Sequence, residues 1–129
     1  AIGPKDIIHG LMTCRIPFNV NVVALDAAMA ALDDAEFLRK SREFNSAELA
    51  FLRQGLEGLP VVMPPSQTNF IFIDTGKKAP WLFDQLQRVG IIVRPIGARA
   101  IRVSPGTRED NERFVEHFRR LILSNDGAA

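Results

Sequence analysis

Ile91-Ile92-Val93-Arg94-Pro95 and Ala100-Ile101-Arg102-Val103-Ser104 are two short apolar runs, each interrupted by one arginine. They predict adjacent strands at 91–94 and 100–104, with Pro95-Ile96-Gly97 as the turn between them. Upstream, Asn69-Phe70-Ile71-Phe72-Ile73-Asp74 predicts a further strand. Its near-continuous apolar character suits a strand buried on both faces. Thr75 to Lys78 reads as a turn, and a helix is expected over 80–88 on the apolar residues Trp81, Leu82, Phe83 and Leu86, with Gly90 as C-cap. Val61-Val62-Met63 reads as a short strand stopped by Pro64-Pro65. After Pro105-Gly106, Thr107 is placed to cap a last helix. Glu109 and Asp110 fall in its first turn, and Phe114, Val115, Phe118, Leu121 and Ile122 form one face. The tail after Ser124 is expected to fray. This order predicts an α/β (α+β) domain over 59–129, its helices packed on a small mixed or antiparallel sheet.

The first part, 1–58, reads as helical and continues into the second without a linker. Pro4 suits the first residue of a short helix ending by Gly10 or Pro17. Asn19 is placed to cap a helix over 20–32, and Asp33-Asp34 to end it and cap a third over 35–56. The third helix has Phe37, Leu38, Phe44, Leu49, Phe51, Leu52 and Leu56 at helical spacing. Arg39, Lys40, Arg42, Glu43, Glu48 and Arg53 are expected on its solvated face.

The chain's 129 residues are 47% hydrophobic, enough for a core, with 16 basic and 15 acidic residues. That balance argues against a nucleic-acid protein or a polybasic membrane segment. No apolar run approaches the ~20 residues of a membrane helix. Cys14 is the single cysteine, so a disulfide within the chain is impossible and a reducing compartment is the default. The beginning, Ala1-Ile2-Gly3-Pro4, has neither an initiator Met nor a targeting pattern and reads as cut.

Most constellations have an ordinary explanation. His9, Cys14 and His117 are far apart and lack an acidic partner at ligand spacing. Both histidines are expected on helix surfaces, and Cys14 as a buried structural thiol. No nucleophile elbow or glycine-rich phosphate loop is present. Asp33-Asp34 needs no role beyond capping. The arginines differ, because a guanidinium within an apolar strand is costly to bury without a partner and suits planar recognition of carboxylate or phosphate. Structural ion pairs or solvent exposure are the alternative for Arg94 and Arg102; Arg99, in the turn, is expected in solvent.

Three ordered segments carry a resemblance over nearly the whole chain. They are Pro17-Phe18-Asn19-Val20-Asn21 with Ala30-Ala31-Leu32-Asp33-Asp34; Ser66-Gln67-Thr68-Asn69-Phe70; and Gly90 to Pro95, followed by Ile101-Arg102-Val103-Ser104, Gly106-Thr107, Glu109 and Asn111-Glu112. Together they resemble the histidinol-phosphate aminotransferases, within the fold-type-I pyridoxal-phosphate enzymes. The resemblance implies that the chain is the small C-terminal domain of such an enzyme, with 1–58 leading to a large domain. Arg102 would anchor the carboxylate of the amino-acid partner, such as glutamate, and Arg94 would hold the phosphate of histidinol phosphate. Asn69 would lie near the substrate, unless it merely opens the strand. Asn19 would lie near the active site and dimer contact, where capping alone would also explain it.

The resemblance further implies a cytoplasmic homodimer of histidine biosynthesis using pyridoxal 5'-phosphate and 2-oxoglutarate. The family's Schiff-base lysine would lie upstream of Ala1. None of Lys5, Lys40, Lys77 and Lys78 matches it, so this chain alone is expected to be inactive and not to bind the cofactor. The turn between the arginines is shorter than is common in the family, and Pro105 replaces an aliphatic residue. A threonine-phosphate decarboxylase, an aromatic aminotransferase, or a non-catalytic anion-binding or dimerisation module stays open.

Overall fold

The computed structural model describes residues 2–17, 19–76 and 78–124. Phe18, Lys77 and the tail expected to fray lie outside them. The chain divides into two compact units, 1–39 and 40–129. This division falls inside the third helix, well before the expected 58/59 boundary. The reason is that Glu48, Leu49, Leu52 and Leu56 are buried and contribute to the second unit.

The first unit holds α1 (Lys5–Thr13), α2 (Val22–Asp33) and the start of α3 (Ala35–Gly55). Pro4 precedes the first turn of α1 as its N-cap. The cap of α2 is Asn21, two residues beyond the expected Asn19. Its side chain accepts a hydrogen bond from the Ala24 N–H at 2.8 Å, satisfying an otherwise orphan helix donor. Asp34 does the same for Phe37 at the start of α3, as expected. No residue of α1 or α2 is buried, despite their apolar composition.

The second unit is a three-stranded antiparallel sheet with helices on one face. Its strands are β1 (Ile71–Asp74), β2 (Arg94–Ile96) and β3 (Ala100–Val103), in the order β1-β3-β2. Ile71 faces Val103 and Ile73 faces Ile101 in register. All four are buried, with Leu52, Leu56, Leu82, Leu86, Phe114 and Phe118 completing the core. These come from α3, from α4 (Ala79–Arg88) and from α5 (Arg108–Leu123).

The expectation that 69–74 is buried on both faces is corrected. β1 alternates, with Phe72 half-buried between Ile71 and Ile73, because the helices cover one face only. The strand also starts at Ile71. Before it, the Phe70 carbonyl accepts from the Ser66 and Thr68 hydroxyls at 2.6 and 3.3 Å. The expected strand at 61–63 reduces to one bridge, Val62 with Asp74; Pro60 and Pro64 flank it and have no N–H for a ladder.

The expected strand at 91–94 is displaced. Gly90, at φ 78°, terminates α4. The Gly90 N–H donates to Gln87 and the Ile91 N–H to Leu86, a Schellman closure that engages the chain just after the helix. The ladder therefore begins where it was expected to end, at Arg94, and includes Pro95 and Ile96 instead of leaving them in a turn. Pro95 is tolerated because β2 is an edge strand. At the other end, Thr107 and Asp110 form a reciprocal capping box that starts α5.

Candidate functional site

Residues directly opposite on antiparallel strands share a face. The register places Arg94 opposite Arg102, and Phe72 opposite Arg102 on the other side. Phe72, Arg102 and Arg94 thus form a row across all three strands, on the face away from the helices. Arg102 is half-buried and Arg94 exposed. The Arg102 guanidinium lies over the Phe70 ring, 5.1 Å from its centroid. Among the described residues neither arginine has a carboxylate within ion-pair distance. Two like charges directly opposite are unfavourable by ~0.2–1 kcal/mol. The row is therefore suited to an anion that takes both guanidinium groups.

The other arginines of this unit show what a structural ion pair looks like here. Arg99 is exposed, as expected, yet its Nη2 reaches Asp74 at 3.1 Å. The Gly76 N–H, together with Arg99, holds the Asp74 carboxyl below its usual value. Arg108 donates to Glu48 at 2.8 Å and lies 3.9 Å over the Phe51 ring. Glu48 was expected on a solvated face but is 5% exposed. It can be buried because Asn111 Nδ2 also donates to it at 2.7 Å. Arg53 likewise leaves the expected outer face, half-buried, and donates to the Pro64 carbonyl.

Asn69 is exposed, and its carboxamide makes no hydrogen bond to a described residue. The strand entrance is held by Ser66 and Thr68 instead. Asn69 adjoins Phe70 and so lies beside the arginine row without being engaged in it. Asn19 is exposed and does not cap α2. Cys14 is exposed, not buried, because α1 buries none of its residues. His9 is exposed; His117 is half-buried beside Arg120.

A recess of about 220 Å³ lies against the end of β3 and the start of α5, lined by Ile92, Ser104, Asp110 and Arg113 among others. Neither Arg94 nor Arg102 lines it. Asp110 is engaged in the Thr107 cap, whose hydroxyl and N–H lower its pKa. Arg113 donates to the Val89 carbonyl. No three His, Cys, Asp or Glu side chains among the described residues could hold a metal, and no described helix is long and apolar enough to cross a membrane.

The profile of the class I and II aminotransferases matches residues 1–118. Histidinol-phosphate aminotransferase 2 of Pseudomonas aeruginosa is 38% identical over 126 residues, covering 95% of this chain and 34% of that protein. The histidinol-phosphate aminotransferase of Symbiobacterium thermophilum is 39% identical over 121 residues, covering 91% and 34%. The crystal structure of histidinol-phosphate aminotransferase from Sinorhizobium meliloti with pyridoxal-5'-phosphate aligns with a TM-score of 0.66 at 27% identity, covering 88% of this chain and 34% of that one. The chain thus spans about a third of the length of these relatives. By its profile match, its relatives and its helix-backed antiparallel sheet, this chain belongs to the class I and II aminotransferases.

Proposed function

We propose that this chain forms the substrate side of a pyridoxal-phosphate-dependent aminotransferase converting histidinol phosphate and 2-oxoglutarate to imidazole acetol phosphate and glutamate. One observation supports this above others: Arg94 and Arg102 are register partners on the open sheet face, without a neutralising carboxylate among the described residues. Arg102, on the central strand, takes the substrate carboxylate, and Arg94 the phosphate. A planar guanidinium offers paired donors to either group. Asn69, uncommitted beside Phe70, is placed to add an amide contact.

The cofactor is proposed to be held chiefly by residues outside this chain. Lys5 and Lys40 lie on α1 and α3, Lys78 precedes α4, and none belongs to the three strands. Bond-breaking at the amino group is the cofactor's chemistry. The residues of this chain bind and orient the substrate's charged ends, leaving the reacting carbon where cofactor and lysine can meet it. The exposed apolar side chains of α1 and α2, among them Leu11, Val22, Val23 and Met29, are proposed to be covered in the complete protein by its large domain and a second copy.

In the intact enzyme, Arg102→Ala is expected to lower kcat/KM for the glutamate half-reaction by at least ~100-fold, the loss of a charge-assisted pair. An unchanged value would remove Arg102 from the site. Arg94→Ala is expected to impair histidinol phosphate selectively. Equal impairment of an unphosphorylated amino acid would make Arg94 a structural residue and favour a different substrate.

A further inference from the structure

The proposed function leaves open what orients the Arg102 side chain before substrate arrives. An arginine in a site without a carboxylate has several rotatable bonds and would lose that freedom on binding. Here its guanidinium rests over the Phe70 ring. Ring contact restrains the plane of the group through the cation–π attraction, yet leaves its N–H edge available for a planar acid. A carboxylate partner would restrain it too, but by occupying that edge.

Phe70 is itself held. The Ser66 Oγ donates to the Phe70 carbonyl at 2.6 Å, and the Thr68 hydroxyl donates to it at 3.3 Å. The Thr68 N–H donates back to Ser66 Oγ at 3.2 Å. The Asn45 side chain of α3 donates to the Thr68 carbonyl at 3.2 Å. The loop before β1 is thus closed on itself and tied to a helix. Phe70 immediately precedes β1, two residues before Phe72, the register partner of Arg102, and its ring under the Arg102 guanidinium puts it beside the arginine row.

We propose that Phe70 is a positioning residue for Arg102, and that the Ser66 and Thr68 hydroxyls fix Phe70 in place. This rests on the reading of Arg102 as the substrate-carboxylate arginine. Ser66, Thr68 and Phe70 then have a purpose beyond entering the strand: they preset the affinity of the anion site without touching the anion.

The test uses the complete enzyme and glutarate, a dicarboxylate with neither an amino nor a keto group, titrated by calorimetry. Phe70→Leu keeps most of the volume and removes the π face. It is expected to weaken glutarate about fivefold, the change given by a ring–cation contact of ~1 kcal/mol. Phe70→Tyr should restore affinity to within about twofold of wild type, because the face returns. KM for 2-oxoglutarate should follow the same pattern, with kcat unchanged. Arg102→Ala is the control for the underlying reading. Wild-type glutarate affinity in Arg102→Ala would overturn that reading and the proposal with it. Lost binding in Arg102→Ala but wild-type affinity in Phe70→Leu would overturn the role of Phe70 alone. So would equal weakening in Phe70→Leu and Phe70→Tyr. Should Phe70→Leu not accumulate as folded enzyme, Ser66→Ala carries the test: about twofold weaker binding is expected from a loosened ring, and unchanged affinity would overturn the brace and the proposal.

Discussion

Arg102 and Arg108 each lie over a phenylalanine ring, Phe70 in one region and Phe51 in the other. At Arg108 the guanidinium also meets Glu48, whose side chain is 7% exposed, and Asn111 completes that carboxylate's hydrogen bonding. The cluster ties α3 to α5 and satisfies its charges internally. At Arg102 the ring is present and the carboxylate is not, while the residue opposite is a second arginine. The same pair of side-chain types therefore makes a closed joint in one place and an open site in the other. The absence of a neutralising acid among the described residues, more than the presence of an arginine, separates the proposed binding surface from framework.

The contrast breaks most readily at Arg108. Arg108→Ala leaves the buried Glu48 carboxylate with Asn111 alone, and is expected to lower unfolding free energy by ~3 kcal/mol. A reduced urea midpoint at unchanged slope would show it; a midpoint equal to wild type would mean the joint is not a stabilising one. A smaller loss is expected at Gly55→Ala on the same α3–α5 seam. A Cβ there would stand 2.8 Å from Val115 Cγ2, and overpacking of this kind costs ~1–2 kcal/mol. Adding Val115→Ala should recover part of that loss by removing the clash; a melting curve unimproved in the double variant would place the strain elsewhere.

Arg102→Ala, by contrast, should change stability by less than ~1 kcal/mol, since losing the Phe70 ring contact is opposed by relieving Arg94 of a like-charged neighbour. A loss as large as that of Arg108→Ala would erase the distinction. The smallest effect is expected at Asp74, which pairs with Arg99. Its folded pKa lies below the ordinary 3.8. The stability it contributes is therefore present above that value and is lost as pH falls through the folded pKa. Asp74→Asn should flatten the acid limb of a stability profile below about pH 4; identical limbs in both proteins would remove Asp74 as a contributor.

Much of the fold was legible because periodicity reports burial. The apolar face of α5, its Thr107 cap and the strand–helix–strand–strand–helix order all follow from side-chain spacing. What failed was displacement along the chain. Asn19 and Asn21 are equally good caps by composition, and only the start of helical backbone at Val22 chooses between them. Ile91 to Val93 look like strand, yet the Schellman closure after Gly90 engages Ile91 first. Partnership failed as well. Glu48 reads as a surface residue until Arg108, 60 positions later, is brought to it. The two arginines were legible as candidates from their apolar setting. That they are register partners depends on β2 starting at Arg94, which the spacing had placed at a strand's end. Phe70 was hidden for the same reason: its relation to Arg102 exists only across the ladder.

The order β1-β3-β2 also bears on how such a site can be retuned. Arg102 is on the central strand, gripped by ladders on both sides, whereas Arg94 is on a three-residue border strand that includes Pro95. Insertions into the 97–99 connection would re-aim Arg94 while the central strand stays put. Under the roles proposed for the two arginines, grip on the common amino-acid end and choice among partner molecules would be mechanically separable, and an engineer could diversify the second by varying one short turn.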